Sequence, residues 1–350
     1  MQRDIDRGSV GTTSSRKADH LRINIEQDVR AKGVDAGFDR YRFEHCAAPE
    51  LALADVDLST SRFGRKIKAP VLISCMTGGT PEARRINRGL ATVAQTFGFA
   101  MGLGSARVLL ERPETIESFS VRSVAPDVLL LANLGAVQLN KGFEWAQCRR
   151  LVDLLEADAL VLHLNPLQEA LQPEGDTDFR GLLARIETVC ASIGVPVLVK
   201  EVGWGLDDRT IRALFDAGVA GVDVAGAGGT SWSEVERHRM TQAWRARVAA
   251  CFASWGIPTT DCIRAARTLA PQGLVIGSGG VRDGMDAAKA IALGADLAGF
   301  AGPFLRAIDI GIDEACGFAQ EVVETLRIVM FTLGARTVRD LQQTDRLIAS

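Results

Sequence analysis

The chain of 350 residues is long enough for two average domains or for one α/β barrel with extensions. Apolar residues make up 47% and charged residues 24%, an ordinary globular composition that excludes a disordered chain. Lys and Arg number 40 against 43 Asp and Glu, a net charge of -3; generic binding to nucleic acid or to an anionic membrane has no electrostatic support, so any phosphate must be recognised locally.

Residues 1–15 are rich in Ser, Thr and Gly without apolar periodicity and are expected to form a mobile polar arm. Ser15 then caps an expected helix over Arg16–Lys32, in which Leu21, Ile25 and Val29 recur at helical spacing. That helix opens an N-terminal helical extension over residues 16–68. Short apolar runs follow: PVLISCMTGG from Pro70, FAMGLGSAR from Phe99, DVLLLANLGA from Asp127, ALVLHLN from Ala159, PVLVKEVGWG from Pro196, AGVDVAGAGGTSW from Ala220, GLVIGSGGV from Gly273 and DLAGFAG from Asp296. Most are separated by amphipathic stretches, and eight such units predict a (β/α)8 TIM barrel over residues 69–340. A doubly wound sheet is the alternative, but it commonly opens with G-x-G-x-x-G after its first strand, where this chain has MTGGT. The connection after the sixth run is the longest and holds Trp232, Trp244 and Trp255; it predicts an insert at about 231–265 on the catalytic face, its tryptophans packing a small core of their own.

The 7 cysteines are scattered and form no C-x-x-C pair, so neither a disulfide framework nor a zinc cluster is expected. The start of the chain has no apolar signal region, and no run reaches the roughly 18 apolar residues of a membrane span, which predicts a cytoplasmic protein without membrane insertion.

In a TIM barrel the loops after the strands carry the chemistry. Here those ends supply Met76-Thr77-Gly78-Gly79, Gly104-Ser105-Ala106-Arg107, Asn133, His163-Leu164-Asn165, Lys200-Glu201, Gly226 to Thr230, Gly277 to Gly280, and Ala301-Gly302. The glycine-rich turn GSGGVRDG, leading into a helix, and FAGPF after the last strand predict a phosphate site. Lys200 stands in an otherwise apolar strand and must meet an anion or a dipole: a Schiff-base role, a partner for flavin N1 or O2, and a structural pair with Glu201 all remain open. The run HLNPLQEALQPEGDTDF packs an imidazole, amides and carboxylates into one loop, where Glu169 suits Mg2+ and Gln168 suits a substrate contact. A solvated acidic loop is the plain alternative there. His20 is a further candidate, whereas His45 and His238 read as surface or cap residues.

These residues carry a resemblance. RKADH, MTGG, GLGSAR, ANLGA, HLNPLQEALQPEGDT, VKEVGWG, VAGAGGTSW and GSGGVRDG, spread over Arg16 to about Leu333, resemble the type 2, FMN-dependent isopentenyl-diphosphate isomerases. The resemblance implies interconversion of isopentenyl and dimethylallyl diphosphate in isoprenoid biosynthesis, with reduced FMN acting without net redox change, Mg2+ holding the diphosphate, and NADPH or NADH as the flavin's reductant. By position it implies a flavin held by Cys75, Met76, Thr77, Gly78, Ser105, Asn133, Lys200 and Thr230, and at its phosphate by Gly279, Gly280, Val281, Ala301 and Gly302. It implies a prenyl diphosphate held by Arg16, Lys17, His20, Ser105, Ala106, Arg107, His163, Asn165 and Gln168, with Glu169 on Mg2+ and Gln168 assisting flavin N5 in proton transfer. Many relatives in that family have Gln or Met where Ala106 stands, so only backbone is left to contribute here. An N-terminal helix carrying substrate ligands suggests a homo-oligomer.

Two other readings stay open. An FMN-dependent 2-hydroxy-acid oxidase shares the barrel and the phosphate loops, but it needs a histidine base near an arginine after the sixth strand, and AGAGGTSW holds no histidine. A non-catalytic flavin or prenyl-phosphate sensor would keep the phosphate loops without needing the HLN-to-GDT cluster.

Overall fold

The computed structural model describes residues 13–350, so most of the expected polar arm lies outside the described residues. Eight parallel strands close into a barrel in chain order: β1 (Val71–Ile73), β2 (Ala100–Gly102), β3 (Leu130–Gly135), β4 (Ala159–His163), β5 (Val197–Lys200), β6 (Gly221–Asp223), β7 (Leu274–Ser278) and β8 (Leu297–Phe300), which pairs back with β1. Each of the eight apolar runs supplies one strand. Both faces of these strands are buried, the condition under which a parallel sheet survives.

Strand alternation divides the core in two. Leu72, Ala100, Leu131, Val161, Leu198, Ile276 and Leu297 form the cluster inside the barrel, while their neighbours Val71, Ile73, Met101, Leu130, Leu160 and Val199 pack outward with the helices. The hairpin Thr60–Arg62/Arg65–Ile67 adds Ile67 and Phe63 to the inner cluster and stoppers the end of the barrel away from the strand-end loops. Asp296 fastens it by accepting from Arg62 (2.6 Å) and Arg267 (2.7 Å). The helix Ile312–Leu333 packs outside, and the strand Leu347–Ala349 pairs antiparallel with Tyr41–Phe43.

Three expectations change. The N-terminal helix runs Thr13–Glu26, so Ser15 lies within it rather than capping it, and it stops short of Lys32. The reason for the early stop is tertiary: the Ala31 amide donates to the Gly229 carbonyl and the Ser231 amide to the Val29 carbonyl (2.9 and 2.8 Å), drawing residues 29–31 into extended pairing with the loop after β6. The rest of the extension, residues 27–68, holds only short 3-10 turns and strands. The helix Thr259–Leu269 is the ordinary barrel helix before β7, so the insert spans about 231–258. Its tryptophans build no private core. Trp244 and Trp255 are 54% and 60% exposed, and Trp232 packs with Ile23, Val29 and Val235 beneath the N-terminal helix. Among the described residues no helix is long and apolar enough to cross a membrane.

Candidate active site

The inward side chains one step beyond the inner apolar layer are Ser74, Asn133, His163, Lys200, Asp223 and Ser278, with Gly102 and Gly299 completing the ring. A polar floor therefore caps an apolar plug. Above it the strand-end loops and the N-terminal helix enclose a cavity of about 680 Å³. Of the residues that the resemblance implies for flavin, substrate and metal, all but Ala106 line this cavity, whereas the strand-end candidates Gly79, Leu164, Glu201, Gly226, Ala227 and Gly277 do not. Ala106 is fully buried and its amide is spent on the Asn133 carbonyl (2.8 Å), so position 106 offers a ligand neither side chain nor N–H.

One part of the wall is glycine. A Cβ on Gly229 would lie 2.5 Å from the Gly280 amide nitrogen, and Gly279 sits at φ +100 where a Cβ would overlap the Gly226 carbonyl oxygen. Only glycine lets these two loops nest so closely and leaves their amides against the cavity. The Ser74 hydroxyl on the floor is buried without a partner, and Lys200, 7% exposed, directs its ammonium to the Glu201 carbonyl oxygen (2.5 Å). These features fit a phosphorylated planar cofactor such as FMN: a backbone phosphate cradle, a cation below and an unused hydroxyl. The Glu201 carboxylate does not pair with Lys200. Its Oε2 accepts from the amides of Val202, Gly203 and Trp204 (2.6, 2.7 and 2.6 Å), pinning a turn whose Val202 and Gly203 line the cavity. Burial pushes its pKa up to about 7 against the pull of those amides and of Lys200.

In the closed strand order β2 stands four strands from β6, so the pole that the loop after β2 helps to form lies across the barrel from the glycine cradle. Arg16 and Lys17 reach it from the N-terminal helix and Arg107 from the loop after β2. Lys17 donates to the Ser105 carbonyl (2.8 Å) and stands 5.5 Å from the centre of the Phe119 ring. Burial first, then Arg107, Arg16 and Arg112, draw its pKa down to about 7, with Glu111 opposing. His163 Nδ1 lies 2.8 Å from Asn133 Oδ1; burial, then Lys200, Lys17 and Arg107, hold its pKa at about 3, so the ring is neutral. With Nδ1 carrying the proton toward Asn133, Nε2 accepts a hydrogen bond and meets a phosphate oxygen only once protonated.

The HLN-to-GDT run folds back on itself. Glu169 Oε1 accepts from Asn165 Nδ2 (2.8 Å) and Oε2 from the Asp176 amide (2.7 Å), while a Cβ at Gly175 would overlap the Glu169 carbonyl. Among the described residues no three His, Cys, Asp or Glu side chains form a ready metal cage. Glu169 is thus a single carboxylate on the cavity wall, a donor set that fits an ion such as Mg2+, which takes one or two carboxylates and completes its shell with waters and phosphate oxygens.

Sequence reasoning missed one hub. Glu236, 1% exposed, accepts from Gln168 Nε2 (3.2 Å), Gln172 Nε2 (2.6 Å) and Arg239 (2.5 Å). His20 Nε2 stands 2.9 Å from the same Oε1, a close contact not aligned as a hydrogen bond. Burial alone would push the Glu236 carboxyl up, but His20, Arg239 and Gln168 outweigh it and hold it at about 2. Trp232 meets His20 edge-on at 5.1 Å and lines the cavity, where the sequence reading kept it in the insert's own core. Nothing in the charged helix Trp232–Arg239 singles out Glu236; Asp223, Ser278 and Ser74 could have been found as polar residues in phase with the inner apolar ones.

A closed barrel with glycine loops and a buried lysine on one cavity fits a flavin-dependent enzyme, and that class is shown by a family model described as FMN-dependent dehydrogenase, which matches residues 163–348. An isopentenyl-diphosphate delta-isomerase of Nostoc sp. is 48% identical over 335 residues, 96% of each chain, and one of Synechococcus sp. is 54% identical over 316 residues, covering 90% of this chain and 91% of that one. A solved mandelate oxidase shares the fold with a TM-score of 0.65 at 16% identity, covering 95% of this chain and 94% of its own. The chain belongs to the type 2, FMN-dependent family of isopentenyl-diphosphate delta-isomerases.

Proposed function

We propose that this protein interconverts isopentenyl and dimethylallyl diphosphate, with FMN in its reduced form, Mg2+ at Glu169, and NADPH or NADH as the electron source. The observation that carries the reading is one cavity with two anion-binding poles, a backbone cradle of Gly229, Gly279 and Gly280 and a cationic pole of Arg16, Lys17 and Arg107, with Gln168 on its wall. A single phosphorylated ligand needs one such pole; a phosphorylated cofactor beside a diphosphate substrate needs two.

In this reading Arg16, Lys17 and Arg107 neutralise the diphosphate and Glu169 holds Mg2+ against it. Leu21, Met76 and Trp232 supply apolar wall for the C5 chain and exclude water from a cationic transition state. Bound reduced FMN supplies at N5 the acid-base function that moves a proton between alkene carbons without net redox change. Gln168, whose Oε1 accepts from Asn165 Nδ2 (3.1 Å) and whose Nε2 donates to Glu236, is held in one orientation on the cavity wall, where its amide would help to place the alkene. The exposed Trp244 and Trp255 offer apolar surface for assembly into a homo-oligomer, which light scattering tests.

The decisive assay is anaerobic incubation of isopentenyl diphosphate with the protein, FMN, NADPH and Mg2+. Dimethylallyl diphosphate is expected; its absence overturns the reading, and flavin reduction by 2-hydroxy acids would favour an oxidase. Residues 224–232 after β6 carry no histidine or arginine, so no such reduction is expected.

Substrate affinity is expected to fall with pH. Lys17 loses its charge as pH rises through about 7 in the free protein. A bound diphosphate favours the ammonium and raises that pKa, so binding takes up a proton and weakens by up to about tenfold per pH unit above neutrality. Calorimetric titration with isopentenyl diphosphate between about pH 6 and pH 9 measures the slope. Lys17→Met should flatten it, and an unchanged slope would assign the proton elsewhere.

A further inference from the structure

Asp223 is a buried carboxylate that the reaction leaves unused. It is 3% exposed and belongs to the polar floor, yet it is absent from the cavity wall, whereas its neighbours on both sides, Lys200 and Ser278, line that wall. Lys200 pairs with Asp223 across the β5–β6 register, which places both side chains on the inner face of adjacent strands. Ser278 on β7 donates to Asp223 Oδ1 at 2.5 Å, fixing the carboxylate from the other side. Burial pushes the pKa of the Asp223 carboxyl up, and the Lys200 cation in register, the Ser278 hydroxyl and the Ala225 amide pull it back toward the charged form. The arrangement therefore sets a cation that lines the cavity and, on the neighbouring strand of the same floor, a carboxyl that does not reach the cavity.

We propose that Asp223 acts through Lys200: its carboxylate offsets the charge of the ammonium, which the Glu201 carbonyl holds in place, and thereby sets the reduction potential of a flavin bound above the floor. The inference rests on the FMN reading given above. A reduced isoalloxazine carries more electron density than an oxidised one, so a cation fixed beneath it favours reduction and a partly neutralised cation favours it less. Asp223 thus poises the cofactor so that the reduced form is reachable by a nicotinamide donor without being held irreversibly.

The experiment is an anaerobic reductive titration of bound FMN against a reference dye, in the wild type, Asp223→Asn, Lys200→Met and the double variant. Asp223→Asn keeps the shape and the Ser278 contact but removes the charge. It is expected to shift the two-electron equilibrium about tenfold toward the reduced form, ~30 mV more positive. Lys200→Met is expected to shift it the opposite way, and Asp223→Asn is expected to have little effect in the Lys200→Met background. Asp223→Glu, which keeps the charge, should return the potential to near that of the wild type, and Asp223→Ser provides a second neutral variant if the amide does not fold. Equal potentials in the wild type and both neutral variants would overturn the proposal, as would an undiminished Asp223→Asn shift without Lys200. A wild-type protein that binds no FMN would instead refute the cofactor reading and this inference together, so the two failures are told apart before any variant is measured.

Discussion

Glu236→Ala is expected to lower isomerase turnover by about 100-fold and to destabilise the protein by about 3–5 kcal/mol. The two effects share a cause. Glu236 Oε1 receives the amides of Gln168 and Gln172, and its other oxygen pairs with Arg239, which is itself tied to Glu174 (2.9 Å). Removing the carboxylate leaves a half-buried guanidinium short of a partner and two amides without acceptors, the costly way to break a buried network. It also frees the Gln168 amide to rotate. His20, 2.9 Å from the same oxygen, loses its anchor, which loosens the N-terminal helix over the cavity. Glu236→Gln keeps an acceptor oxygen without the charge and should fall between wild type and alanine in both measures. Thermal unfolding and initial rates at saturating substrate check the pair; full turnover in the alanine variant would mean that Gln168 is held by Asn165 alone.

Gly229→Ala is expected to weaken FMN binding by about 100-fold, ~3 kcal/mol, while leaving the barrel folded. The added methyl would stand 2.5 Å from the Gly280 amide nitrogen, a backbone atom that cannot swing aside. Either loop must retreat, and a cradle that binds phosphate through fixed amides loses one or two charge-assisted hydrogen bonds when its loops part. The loop after β6 also carries the pairing to residues 29–31, so some loss of order in the N-terminal extension should accompany the loss of cofactor. Flavin fluorescence on titration reads the affinity, and circular dichroism reads the fold. Undiminished affinity in this variant would move the phosphate site away from the Gly229–Gly280 contact.

The eight strands were legible because each is an apolar run bounded by glycine or a polar turn, and a parallel strand buried on both faces reads that way by local composition alone. The phosphate loops were legible for the related reason that close backbone approach admits only glycine, as at Gly229 and Gly279. Ala106 falls outside the cavity wall because a loop's direction is not local: its position beside Ser105 and Arg107 says nothing of an amide already committed to Asn133. The N-terminal helix is shorter than its periodicity predicts, because the apolar spacing continues through Val29 while the partner that ends the helix, the loop at Gly229, lies some 200 residues away in the chain.

By itself, then, the sequence determined the barrel, the glycine cradle and the set of polar residues at the strand ends, since composition, alternation and backbone sterics act between near neighbours. Only the tertiary structure decided which of those residues are tied to one another: Glu236 of the insert to Gln168 and His20, Lys17 to the carbonyl of Ser105, Asp223 to Ser278 beside Lys200. Those links join segments far apart in the chain, and their strength depends on burial and on the charges around them, which exist only once the barrel has closed.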